Sequence, residues 1–600
     1  MFSEYLREHP FMQTLKAGPY VFFPPAGDRD AWRGLGEEAT GGIEALWAGF
    51  RDKPYPVRLA TGFLAYVRNG SRKADGESYF FRRRKLCAAV AAYCAGHEEA
   101  LDEIIDGVWA ISEETSWVIS AHNVNPIPGA PKPSEYPLPD GDRPYIDLFS
   151  AQTGMILSLT ESLCGEALDA VTPMLRQRIH RELDKRILTP FMEDDTFWWM
   201  GFIRKDLCNW TPWIVSNVML TACLRGMGRE ALSGLLTRAC GMLDRWLDVV
   251  PEDGGCDEGA GYWNMAGGAL ADCLELFETV TGGIMTFWHV EKVHNILLFP
   301  ARVELGGGWF VNFADCDARP YISGERIQYA GERMGDQSLA AMGARLRGEA
   351  GKQLSDVPHF SRMLKELFRP RAQAGEKKAP EDTWLPDLQV RVVRRGEMIL
   401  AAKGGHNGES HNHNDVGSFI LCEGGEPQIV DAGNMTYTAK TFSSERYTLW
   451  NTRSAYHNVP LIRGQEQRPG AEYAARDTEY LPDGLRLDMA GAYDPSCGAK
   501  RWTRTLELNE AGLTVRDEGD MNGPGEVTWV FMLRHEPAVR EGTVEFGRLR
   551  MALPDGARAL AEEVQVTDER MAATFPGSLW RLKVTMEDGG APTAEFKITY

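Results

Sequence analysis

Six hundred residues, 43% of them apolar and 25% charged, describe an ordinary folded chain that is too long for one hydrophobic core, so two or more domains are expected. A net charge of −20 excludes general nucleic-acid binding, which needs a basic surface, although arginines such as Arg204, Arg446, Arg453 and Arg463 leave room for an anionic ligand in a local cleft. No run of about 18 apolar residues is available to span a membrane, no secretory leader is visible, and eleven scattered cysteines without a CxxC pair argue against a disulfide framework, so a cytoplasmic protein is the expectation.

From the start to about residue 370 the hydrophobic period is helical. Leu148, Phe149, Met155, Ile156 and Leu159 fall on one face, as do Leu232, Leu235, Leu236, Met242, Leu243, Trp246 and Leu247. Seven prolines between residues 123 and 144 mark a long loop just after His122, and long loops in compact domains are often functional, which makes His122 a site candidate. Twelve of the seventeen tryptophans precede residue 370, among them Trp198, Trp199, Trp210, Trp213 and Trp263. Indole faces serve as platforms for sugar rings as well as core fillers, and core packing is the default for any one of them.

A polar stretch at 369–382 reads as a linker or surface excursion. Beyond it the period drops to two. Val390-Arg391-Val392, Leu485-Arg486-Leu487, Leu506-Glu507-Leu508, Val527-Thr528-Trp529-Val530-Phe531 and Phe596-Lys597-Ile598 read as short strands separated by turn residues, the pattern of an antiparallel sandwich. The division is therefore a helical domain over 1–375, with an N-terminal extension of about 75 residues, and a β domain over 385–600.

The β domain holds the densest chemistry. Four of the twelve histidines lie between 406 and 457: His406, and those of Ser410-His411-Asn412-His413-Asn414-Asp415-Val416-Gly417-Ser418-Phe419 and Ala455-Tyr456-His457-Asn458, with Asp431-Ala432-Gly433 between these segments. If the first segment is extended, His411 and His413 point to one side and share a pocket. Phe419 to Cys422 and Gln428 to Asp431 read as strand, turn, strand, so a hairpin returns Asp431 towards His413. His413, Asp431 and His457 then make a nitrogen and oxygen set for a divalent metal, zinc first, with manganese and nickel also suited.

These motifs, with the Tyr437 to Arg446 stretch and Arg453-Ser454-Ala455, resemble the heparinase II/III-like family of polysaccharide lyases. In the helical half Glu114-Thr115-Ser116-Trp117 leading to His122-Asn123, Asp147-Leu148-Phe149-Ser150-Ala151, Asn209-Trp210-Thr211-Pro212-Trp213, and Asp253-Gly254-Gly255 running into Glu258-Gly259-Ala260-Gly261-Tyr262 look like that family's motifs in the same order. The resemblance spans roughly residues 80 to 470.

What the resemblance implies is an α+β multidomain chain, an incomplete α/α toroid of helical hairpins followed by an antiparallel β-sandwich. Its members cleave uronic-acid-containing polysaccharides, of glycosaminoglycan or alginate type, by β-elimination. The enzyme must neutralise the C6 carboxylate, take the weakly acidic C5 proton and protonate the departing O4. By position, Asn209 matches the neutralising asparagine, Tyr262 the catalytic acid and base, and His411 a base or second neutraliser. His122, Trp210, Glu258, Trp263, Tyr437, Arg446 and Arg453 fall at substrate-facing positions, where Tyr437, Arg446 and Arg453 either touch the substrate or tie strands together. His413, Asp431 and His457 match a structural metal set. The implied partner is an anionic uronic-acid oligo- or polysaccharide, not a nucleic acid or a membrane, with the oligomeric state left open, a homodimer included. One departure stands out: several members carry a histidine directly after the neutralising asparagine, where this chain has Trp210. Two other readings compete, a toroid glycoside hydrolase using Asp194-Asp195 or Asp257-Glu258 as paired acids, and a non-catalytic sugar-binding scaffold.

Overall fold

The computed structural model describes residues 1–123, 137–348, 350–355, 357–372 and 381–600. The centres of the loop expected at 123–144 and of the linker at 369–382 lie outside them. The chain forms two compact units, one of Met1–Val250, Met265–Val290 and Ser323–Glu376, the other of Pro251–Asn264, Glu291–Ile322 and Lys377–Tyr600.

The first unit is built of helical hairpins. Lys73–Ala95 packs on Leu101–Ser112, Leu148–Val171 on Pro173–Leu183, Trp210–Arg225 on Arg229–Leu247, and Gly324–Met334 on Gln337–Leu346. Two kinds of helix alternate. Arg229–Leu247 buries one stripe, the predicted Leu232, Leu235, Leu236, Met242, Leu243, Trp246 and Leu247. Leu148–Val171 and Trp210–Arg225 are buried on nearly every side, including Gln152, Thr153 and Ser158 in the former and Ser216, Asn217 and Thr221 in the latter. A helix enclosed all round belongs to an inner layer and a one-striped helix to an outer one, the double-layered arrangement of an incomplete α/α toroid. The single apolar face read for Leu148 to Leu159 therefore understates that helix's burial. Its start is fixed by Asp147, whose Oδ1 accepts the Ser150 amide at 2.6 Å.

Charge is also buried in this unit. Arg326 is fully enclosed and donates to Asp272, Glu275 and Glu325, and Glu275 is shared with Lys365 and Arg369. Burial alone raises the Glu275 carboxyl, but Arg326, Lys365 and Arg369 hold it down to about 2, against an ordinary 4.5. A depressed folded-state pKa contributes stability in full above the unfolded value and loses it as the pH falls through the folded one, here from about 4.5 towards 2. Glu275→Gln is expected to cost about 3–5 kcal/mol at neutral pH, because it leaves buried cations short of a partner. It should also flatten the acid limb of the melting temperature against pH. An acid limb as steep as in the parent would show that Glu275 carries none of it.

The second unit is a sandwich of two antiparallel sheets. One runs Arg476–Leu481, Gly484–Asp488, Ala499–Asn509, Gly512–Met521, Thr593–Thr599, Leu549–Ala552, Thr543–Phe546, Ala538–Arg540 in spatial order. The other runs Arg558–Gln565, Ser578–Asp588, Gly525–Leu533, Glu426–Ile429, Phe419–Glu423, Met398–Lys403, Val390–Arg395, Thr383–Leu385, with Pro460–Ile462 added on Gly525–Leu533. Alternate residues of both sheets meet inside: Leu506, Leu513, Val515 and Phe596 from the first, Leu400, Phe419, Leu421, Trp529 and Phe531 from the second.

Residues 251–264 and 291–322, which the sequence division at 375 and 385 leaves in the helical domain, pack with this unit. Trp263 Nε1 donates to Ile296 O at 2.8 Å and joins the two segments, and specific bonds join them to the sandwich: the Asp387 amide donates to Asp253 at 2.9 Å, Asn312 Nδ2 to Asp431 O at 3.0 Å and the Asp315 amide to His411 O at 3.2 Å.

Candidate active site

The histidine motif is a loop between strands, not a strand. The strand begins only at Phe419, and His411 sits at φ 55°, a left-handed conformation that costs a non-glycine residue roughly 1–2 kcal/mol. An extended strand is therefore not what brings His411 and His413 together, although both reach the carboxylate of Asp315. The hairpin itself forms as read, Phe419–Glu423 pairing with Glu426–Ile429.

Buried polar groups hold the loop in place. Lys403 Nζ bonds Asp415 at 2.7 Å and Glu409 at 2.9 Å, Asn407 and Gln467 bracket Asp415 and Val416, and Arg504, itself paired to Asp517, donates to the carbonyls of Gly417 at 2.9 Å and Asn458 at 2.6 Å. Gly417 has φ 84°, and a Cβ there would lie 1.9 Å from Met489 Sδ, so only glycine fits the turn. Gly433 is similar, with φ 63° and the Cys316 carbonyl 2.3 Å from a would-be Cβ.

Several half-exposed or buried groups meet at this loop. Tyr262 and Tyr437 share a 2.5 Å hydroxyl contact, and the Tyr437 hydroxyl lies 3.2 Å from His411 Nδ1. The same Nδ1 lies 2.9 Å from Asp315 Oδ2, and His411 Nε2 lies 3.9 Å from Glu258. Asp315 is the hub. Its other oxygen takes His413 Nε2 at 3.2 Å and Arg446 Nη2 at 2.8 Å. Burial would raise its carboxyl, yet the bonds from His411 and His413 and the Arg446 charge hold it far below the carboxylate range. Burial likewise disfavours charge on His411, but the Asp315 hydrogen bond and the charges of Glu258 and Asp315 outweigh it and raise the imidazole. Burial pushes the phenols of Tyr262 and Tyr437 well up.

Deeper in the same unit, ligand atoms of His413, Asp431 and His457 lie within 4.8 Å of one another, all buried. The donor set fits a cation. His457 Nε2 faces the Asn451 carbonyl at 3.0 Å and carries a proton, which leaves Nδ1, 2.9 Å from Asp431 Oδ2, either to donate to that carboxylate as an imidazolium or to offer a lone pair to an ion shared with it. His413 donates through Nε2 to Asp315, and its buried Nδ1 meets no hydrogen-bond partner among the described residues. Two inward lone pairs and a carboxylate, each imidazole held by an outer acceptor, are what a divalent ion needs.

The candidates in the helical unit form a cluster of their own. Asn209 is half-buried at the start of Trp210–Arg225, and its side chain makes no capping bond to that helix. Trp210 packs on His122 at 4.8 Å and on Trp198 at 5.1 Å between ring centroids. His122 is stacked on Phe149, with Nδ1 2.8 Å from Asp147 and Nε2 3.2 Å from Arg72 Nη2. The imidazole is thus protonated on Nδ1, and burial, with Arg72, keeps it neutral.

Two substrate-facing assignments need correction. Trp263 is 1% exposed with its N–H on Ile296, a core residue and no sugar platform. Arg446 is buried, its guanidinium spent on Asp315 and on the carbonyls of His411, Asn412 and Thr441, so it shapes the loop. Arg453 pairs with Glu466 and keeps 40% of its side chain exposed. The acids Asp194 and Asp195 are engaged with Thr196 and Arg238. Asp315 escaped the sequence reading. Its one signal is an acid set among Val311, Phe313, Ala314 and Cys316, where an unpaired charge would be costly.

Residues 377–592 match the family described as Heparinase II/III-like, C-terminal. Among solved structures the chain is similar to a heparinase III gene product, at 13% identity and TM-score 0.62 over 100% of this chain and 87% of that one. A second heparinase III structure is 12% identical, with TM-score 0.61 over 98% and 92%. A heparan sulfate lyase from Pedobacter heparinus is 14% identical, with TM-score 0.53 over 100% and 87%. At such identities the likeness establishes the fold. No curated protein matches the sequence.

Proposed function

We propose that this chain, whose residues 377–592 belong to the heparinase II/III-like C-terminal family on a heparinase III fold, is a polysaccharide lyase that cleaves glycosaminoglycan or another uronic-acid-containing glycan by β-elimination. The observation that carries this reading is the unbroken chain Tyr262, Tyr437, His411, Asp315. Hydrogen bonding gives it a direction. With His411 Nδ1–H held towards Asp315, the Tyr437 hydroxyl can donate to Tyr262, and the Tyr262 proton is then free for a substrate oxygen. In the reaction the C5–H bond breaks and its electron pair forms the C4=C5 double bond. The C4–O4 bond breaks with its pair on O4, and Tyr262 protonates O4 as it leaves. Where both groups lie on one face of the ring the exchange is concerted at the one phenol oxygen, which accepts the C5 proton as it delivers its own to O4. His411, its charge favoured by Asp315 and Glu258, is placed to receive developing negative charge. We assign neutralisation of the C6 carboxylate to Asn209 and sugar stacking to Trp210.

A divalent ion, zinc by the donor chemistry, would be held by His413, Asp431 and His457, and when bound it supplies the positive charge that gathers these three buried side chains. Dialysis against a chelator is expected to lower the melting temperature, by the equivalent of about 4 kcal/mol if the free ion stands at a thousand times its dissociation constant. Metal-free protein with an unchanged melting temperature would leave the trio as a hydrogen-bonded cluster.

The test of the activity is ultraviolet absorbance over time with a panel of uronic-acid polymers and oligosaccharides. Growth of the band of the conjugated double bond identifies a lyase and its substrate. New reducing ends without that band would mean hydrolysis.

A further inference from the structure

The connection between strands Arg558–Gln565 and Ser578–Asp588 carries a short helix, Glu569–Ala572, that reaches the tyrosine pair. Asp568 caps it, accepting the amides of Arg570 and Met571 at 3.1 Å, and also accepts the amide of Thr436, the residue before Tyr437, at 3.1 Å. Arg570 gives Nε and Nη2 to the two oxygens of Asp317, each at 2.8 Å, and its guanidinium carbon lies 5.5 Å from the centre of the Tyr437 ring. Its Nη1 has no hydrogen-bond partner among the described residues, and the side chain is 37% exposed. The segment Asp315-Cys316-Asp317 therefore orients His411 with one carboxylate and Arg570 with the next.

We propose that Arg570 is a positioning residue for the elimination, held by Asp317 so that its positive charge offsets the negative charge developing on the Tyr262 and Tyr437 phenols. The proposal rests on the lyase reading above. Two phenols in a 2.5 Å contact, with one to give up a proton, form an anion that water stabilises poorly in a half-buried site. The charged groups around them are Glu258 and Asp315, which oppose that anion, His411 with its neighbour Arg446, and Arg570. Burial is the largest influence raising both phenols, with Glu258 and Asp315 adding at Tyr262, and with the Tyr262 contact and Asp315 adding at Tyr437. Arg570 is the cation that works against these influences at both rings.

Arg570→Gln and Arg570→Lys, made in the full chain and assayed across pH, test this. Arg570→Gln is expected to lower kcat about 100-fold, the scale of losing one oxyanion-stabilising group, with KM little changed. It should also move the tyrosine-governed limb of the rate profile to higher pH, since a phenol without a neighbouring cation holds its proton longer. Arg570→Lys keeps the charge and should keep the limb near its parent position. Asp317→Asn, which loosens the anchor but leaves the cation, should fall between the two. An unmoved limb in Arg570→Gln, or a lysine variant no better than the glutamine one, would make Arg570 a tie between loops and overturn the proposal. If the parent protein forms no unsaturated product from any uronan, the lyase reading has failed on its own. Titration of tyrosinate absorbance, with Tyr437→Phe as reference, then decides: a rise in the pair's pKa in Arg570→Gln supports the charge role, and no rise rejects it.

Discussion

Tyr262→Phe is expected to reduce double-bond formation by a factor of about a thousand while leaving binding of the glycan intact. The substitution removes one hydroxyl and nothing else. The ring stays packed against His411, with centroids 5.4 Å apart, and Tyr437 keeps its position through His411 and the Arg570 segment. Lost stability should be about 1 kcal/mol, the net worth of one hydrogen bond, so the fold remains available for binding measurements. What disappears is the group that delivers a proton to O4. A hydrolase built on carboxylates would keep its turnover in this variant, and a binding protein would have none to lose. Undiminished elimination in Tyr262→Phe would remove the phenol from the chemistry and shift the acid role to His411 or Tyr437.

The second large effect is expected at Asp315. Its two oxygens serve His411, His413 and Arg446, all of which donate to it. Asparagine offers one oxygen and one amide nitrogen, so either His411 or the pair of His413 and Arg446 would face a donor instead of an acceptor. Asp315→Asn is expected to lower kcat about a thousandfold, because His411 loses the acceptor that fixes its tautomer, and to cost about 3–5 kcal/mol by leaving the Arg446 charge without its carboxylate. It should also loosen metal retention by about 10–100-fold, since the outer acceptor of His413 is gone. Measuring kcat, melting temperature and metal content on one preparation separates these consequences. Metal retention equal to the parent's would show that the bond to His413 carries none of the ligand's orientation.

How far the sequence foretold this site depended on how local each part is. The hairpin from Phe419 to Ile429 was legible, because alternation and a glycine turn are short-range signals. So was the trio His413, Asp431 and His457, whose side chains carry a specific donor type inside short motifs. The conformation of the histidine loop was not. Residues 410 to 418 alternate like a strand, but Gly417 must turn sharply beneath Met489 and His411 adopts a left-handed backbone, and periodicity is blind to both. Asp315 and Arg570 were hidden by distance: each meets the site across 96 or more positions, and acids and arginines are too common for spacing to single one out. Trp263 and Arg446 sit in the right motifs, yet their side chains point into protein, a matter decided by packing with residues far away in the chain.

The discontinuity of the sandwich unit has a consequence for synthesis. Its phenol, its glutamate and its hub carboxylate are translated with residues 251–264 and 291–322, whereas the strands that hold them emerge last. A fragment starting at residue 377 contains every strand of both large sheets and covers the stretch matched to the family. It nevertheless lacks Glu258, Tyr262 and Asp315, and leaves His411 and Arg446 without their carboxylate. The nascent chain must therefore hold these early segments without their partners until His411, Tyr437 and Arg446 have been synthesised.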